Sequence, residues 1–166
     1  MAKLTGAFYA SMESLMDLIA ASATFQEWVG EAGDPVAARL RISKFETSPK
    51  PTFPTVVVNR MGDGSIDKVA EPRSYGWPKE AYRVSFYQDT PEGFRESSEN
   101  DRDVAGAIDS ILQVVDCGII PEMIALSGVS DNLVVTSFKD PETPVVSAPT
   151  KGYGDYFTLW EIVIEV

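Results

Sequence analysis

Histidine is absent from these 166 residues, and cysteine occurs once, as Cys117. Without imidazole the chain lacks the usual general base near neutral pH and the commonest transition-metal ligand. Ser-His-Asp triads, Cys-His pairs and most zinc sites are therefore excluded together. Carboxylate or lysine catalysis stays open. A lone thiol can form neither an internal disulfide nor a thiolate metal cluster, and it points to folding in a reducing cytoplasm. Cations are scarce as well: 14 Lys plus Arg stand against 25 Asp plus Glu, a formal net charge of -11. A general nucleic-acid binder needs clustered Lys and Arg to neutralise phosphates, so that class falls away. The first six residues, Met1 to Gly6, lack the charged, apolar and small-residue order of a signal peptide. No run of about 18 apolar residues is seen either, so the expectation is a chain that neither is exported by that route nor spans a membrane.

Against these absences stands an ordinary globular composition, 44% hydrophobic and 23% charged, which predicts a packed interior. The length suits a single domain, 1–166, with one core. In the first third, Met12, Leu15, Met16, Ile19 and Ala23 recur at helical spacing and predict an amphipathic helix from about Tyr9 to Ala23. Periodicity fails at Gly30 and Gly33, and Asp34-Pro35 supplies an N-cap and an N1 proline for about one helical turn. Ala38 to Ser43 alternates apolar with polar and predicts a half-buried strand. Pro49, Pro51 and Pro54 then remove backbone donors, so the segment from Thr47 to Pro54 is a connector.

Strand signals resume at Thr55 to Asn59, a β-branched run, and Met61 to Gly64 predicts a hairpin turn into Ser65 to Ala70. Tyr82, Val84 and Phe86 alternate with Arg83, Ser85 and Tyr87, which predicts a central strand from Ala81 to Gln88. A capping-box-like start at Ser98 to Asp101 precedes Val104, Ile108, Ile111, Leu112 and Val115 on one helical face. Gly118 and Pro121 follow in the order of a helix stop. Leu133 to Phe138 and Tyr156 to Val166 complete the strands, the last with Thr158, Trp160, Ile162 and Ile164 on one face. Between them the proline- and glycine-containing stretch from Lys139 to Asp155 is expected to be a long loop. The fold class expected is α+β: a mixed, mainly antiparallel sheet of about five strands against two principal helices on one side.

Chemical motifs are weak. Asp63 to Ser74 has the opening of a calcium loop, but Lys68 occupies the turn-glycine position and Ser74 the bidentate-glutamate position, so a plain hairpin turn is the better reading. The acidic series Asp89, Glu92, Glu96, Glu99, Asp101 and Asp103 reads as a solvated helix start rather than a magnesium site. Cys117 reads as a small buried apolar residue. Tyr75, Trp77 and Pro78 either close the edge of the core or form an exposed hot spot for a partner. The glycine spacings of phosphate-binding loops are missing. No catalytic, cofactor-binding or metal-ligating residue is therefore assigned, and the chain is expected not to be an enzyme.

The order of segments is nevertheless informative. An amphipathic helix, a strand carrying Arg39-Leu40-Arg41-Ile42, a proline connector and Phe53-Pro54-Thr55-Val56-Val57-Val58 are followed by Tyr82-Arg83-Val84-Ser85-Phe86, a helix from Asn100 to Asp116 and two closing strands. This arrangement resembles the tail-terminator or tail-completion proteins of long-tailed phages. The resemblance implies a structural virion protein of the tail or neck, assembled in the host cytoplasm as a hexameric ring. It would touch the tail tube protein and the neck or connector proteins. DNA would pass the acidic lumen without sequence-specific contact. The implied contact arms are Thr47 to Pro54 and Lys139 to Asp155, giving Pro49, Pro51, Phe53, Pro141, Pro144, Pro149 and Tyr153 as candidate interface residues beside Tyr75 and Trp77. A related head-tail connector, head-closure or baseplate protein fits the same pattern. Outside the resemblance stand a small carboxylate-dependent hydrolase and a monomeric ligand-binding module, both lacking convergent groups in the sequence.

Overall fold

The strongest alternations in the sequence become the middle of a sheet. A computed structural model describes residues 7–44, 53–61, 81–89, 101–140, 142–147 and 157–166. In chain order the elements are α1 (Ala7–Ala20), α2 (Ala23–Trp28), α3 (Pro35–Arg39), β1 (Ile42–Ser43), β2 (Thr55–Arg60), β3 (Ala81–Asp89), α4 (Asp101–Val114), a π turn (Val115–Ile119), α5 (Ile120–Leu126), β4 (Ser137–Lys139), β5 (Val145–Ser147) and β6 (Phe157–Glu165). The strands form one sheet in the order β1-β2-β3-β6-β4, with β5 also paired to β6. β1 runs parallel to β2; the other pairings are antiparallel. The fold is α+β with a mixed, mostly antiparallel open sheet.

Register explains the core. Val58 lies opposite Val84, which lies opposite Ile162, and Val56, Phe86 and Trp160 form the next such row. These six side chains are buried because a two-residue period puts alternate positions on one face. Met12, Leu15, Met16 and Ile19 of α1 pack into the same cluster as Ile111, Val115, Ile119 and Met123 of the long helix. Both principal helices therefore cover the same face of the sheet. Fully burying each such side chain contributes about 1.5–3 kcal/mol.

The long helix does not stop where Gly118 and Pro121 suggested. It passes through the π turn, in which the Ile120 N–H donates to the Val115 carbonyl, and continues as α5 with Pro121 in its first turn. The physical reason lies in Ile111, Val115, Ile119 and Met123, each four residues after the last. Four residues overshoot one α-helical turn by about 40°, so three such steps would rotate the apolar stripe by about 120°. One extra residue in a wide turn takes back about 100° of that drift. All four side chains consequently stay in the core.

Three other expectations change. The alternation read from Ala38 to Ser43 yields only Ile42–Ser43 as strand, because the Asp34 carboxylate caps the Val36 and Ala37 N–H groups and carries α3 on to Arg39. Leu133 to Phe138 forms a strand only from Ser137, although the Thr136 N–H already donates to the Glu165 carbonyl. The expected loop from Lys139 to Asp155 contains β5, which pairs with β6. Since β4 and β5 both run antiparallel to β6 along the same border, they form one interrupted edge, its pairing broken between Lys139–Val163 and Val145–Leu159. Within that break the Trp160 indole N–H donates to the Glu142 carbonyl at 2.9 Å.

The helical stretch Val104–Leu126, 23 residues, is long and apolar enough to cross a membrane by length and composition, although Asp109, Gln113, Asp116 and Glu122 keep it from being an uninterrupted apolar run. Its apolar stripe is nonetheless spent on the protein core, with Asp109, Gln113 and Asp116 on the exposed side.

Candidate functional site

Of the nine candidate interface residues, the structure describes two. Phe53 is half-buried and Pro144 is buried immediately before β5; Pro49, Pro51, Tyr75, Trp77, Pro141, Pro149 and Tyr153 lie outside the described residues. The calcium-like segment from Asp63 to Ser74, the hairpin into Ser65 to Ala70, and Glu92, Glu96 and Glu99 lie outside them too.

Phe53 belongs to a small cluster on the sheet face opposite the helices. Its ring stacks on Tyr87 at a centroid distance of 6.3 Å and on Phe157 at 5.9 Å, while Tyr87 and Phe157 meet at 5.8 Å. Val57 is buried with them and Leu159 packs alongside. Arg41 seats this corner. Its guanidinium donates to the Phe53 and Pro54 carbonyls at 3.3 and 3.2 Å, and its own carbonyl accepts from the Thr55 hydroxyl at 2.8 Å and the Val56 N–H at 3.2 Å. The cluster thus joins β2, β3 and β6 from behind, and Phe53 contributes to packing at the point where the chain enters β2. Farther along the same face the surface turns polar, with Arg83 exposed and the Ser85 hydroxyl donating to Glu161.

Both borders of the sheet lack a further strand among the described residues. Beside the β1 border, Val36 on α3 and Leu40 at its C-cap are 77% and 83% exposed. Beside the β4 border, Ile124, Val129 and Val134 project from the end of α5 and from the turn leading to β4, each more than half exposed. Sequence reasoning singled out none of these five. The Asp34-Pro35 cap could have indicated a short helix bearing Val36 and Leu40 at i and i+4, but their exposure follows from the arrangement of elements.

The best-connected polar group is Glu122 on α5. Its carboxylate accepts from the Ser22 hydroxyl, from the Thr24 N–H at 3.0 Å and from the Thr24 hydroxyl at 2.7 Å. Ser22 in turn accepts from the Phe25 N–H as the N-cap of α2. Burial pushes the Glu122 carboxyl up, but the bonds from Ser22, Thr24 and the Ala23 N–H outweigh it and hold the group below its ordinary value of 4.5. Such a carboxylate is a helix cap supplied from another element, consistent with the preference of helix N-termini for negative charge. Gly118 lies one turn earlier on the same face: a Cβ there would come within 2.5 Å of the Thr24 methyl group. Its absent side chain is a packing requirement, not the helix stop expected.

On α1, Glu13 pairs with both Arg39 and Lys44, and Arg39 also reaches Asp17 at 3.0 Å. These pairs tie α3 and the start of the β1 connection to α1. Cys117, expected to be buried, is exposed, because the π turn points it away from the core. No group of three or more His, Cys, Asp or Glu able to hold a metal occurs among the described residues.

No family model, no curated protein and no solved structure matches the chain.

Proposed function

We propose that this chain is a non-catalytic structural subunit of the tail-terminator or tail-completion type, forming a ring between the tail tube and the neck of a long-tailed phage. The observation that carries the reading is the open sheet: helices cover one face, and both borders, β1 and the interrupted β4/β5 strand, end without a further described strand. Sheet borders of this kind offer backbone and side-chain contacts to neighbouring copies. A ring follows when the two contacting surfaces differ and the rotation between copies closes. The order of segments described above supports the same reading, and the formal charge of -11 suits a channel wall that repels DNA instead of gripping it.

The test is electron microscopy of the purified chain mixed with phage tail tubes, alongside size-exclusion chromatography with light scattering. A ring capping one end of the tubes is the expected result. Density at the capsid side or on the baseplate would move the subunit to a head-closure or baseplate role. A chain that stays monomeric beside bare tubes would overturn the proposal.

A further inference from the structure

We draw no further inference here: the strongest candidate, the exposed apolar side chains Val36 and Leu40 beside β1 together with Ile124, Val129 and Val134 beside β4, is a pair of unpartnered surface patches for which nothing in the structure shows what covers them.

Discussion

Glu122 and Thr24 are joined twice, through the threonine N–H at 3.0 Å and its hydroxyl at 2.7 Å, across 98 positions of sequence. This one carboxylate locks the start of α2 onto the α5 end of the long helix, so an early and a late part of the chain share a single polar joint. Its neighbours on both sides are apolar core residues, Phe25 and Met123.

Replacing Glu122 with Gln should therefore cost about 1–2 kcal/mol near neutral pH, since one ionised acceptor serves several donors. The sign of its pH dependence follows from the lowered carboxyl. The stabilisation is complete above the ordinary value of 4.5 and is lost as pH falls through the depressed folded-state value. Urea unfolding of both proteins between pH 7 and pH 3 should show their difference shrinking toward the acid end. A constant difference would mean that the charge of Glu122 is irrelevant.

Gly118→Ala runs against the usual gain from removing a helical glycine, about 1 kcal/mol. The new methyl group would collide with the Thr24 side chain, whose hydroxyl is committed to Glu122, and a net loss of about 1–3 kcal/mol is expected. Thr24→Ser deletes the colliding methyl and retains the hydroxyl. The double variant should be less destabilised than the sum of the two single ones, measured by a thermal-denaturation double-mutant cycle.

Trp160→Phe removes the indole N–H that holds the Glu142 carbonyl. The amide protons of β5 should then exchange faster with solvent while those in the centre of β3 keep most of their protection, because β5 is anchored only to β6 among the described strands. Equal acceleration throughout the sheet would show that the indole bond has no local role.

Ile119→Ala probes the π turn. Ile119 is fully buried, so the truncation should cost about 2–5 kcal/mol. The neighbouring Cys117→Ser, exposed on the opposite side of the same turn, should change stability by less than about 0.5 kcal/mol. Chemical denaturation of the two variants separates the faces.

What could be read from the residue order depended on whether one periodicity stood alone. Tyr82, Val84 and Phe86 and the Thr158 to Ile164 series alternate without competing signals, and β3 and β6 fall where expected. α1 was legible through Met12, Leu15, Met16 and Ile19, but it ends at Ala20, and Ala23, expected on the same helix, opens α2 behind the Ser22 cap. Where two local signals conflicted, the outcome depended on tertiary packing. The alternation of Ala38, Leu40 and Ile42 lost to the Asp34 cap, and the stop signals at Gly118 and Pro121 lost to a continuous apolar stripe that a π turn could keep aligned. β5 is three residues long behind a proline, too short to display a period, and only its pairing with β6 reveals it. The polar joint at Glu122 was invisible for a different reason: nothing local links it to Ser22 or Thr24, and it exists only after the helices have docked.

The break in pairing along β6 between Lys139 and Val145 also shapes how this molecule behaves in a crowded solution. A stray polypeptide laid against this flank would find a ladder of three residues, then a gap, then three more, and could not zip along its full length. Fibril growth needs a long, regular template, and this flank denies it one.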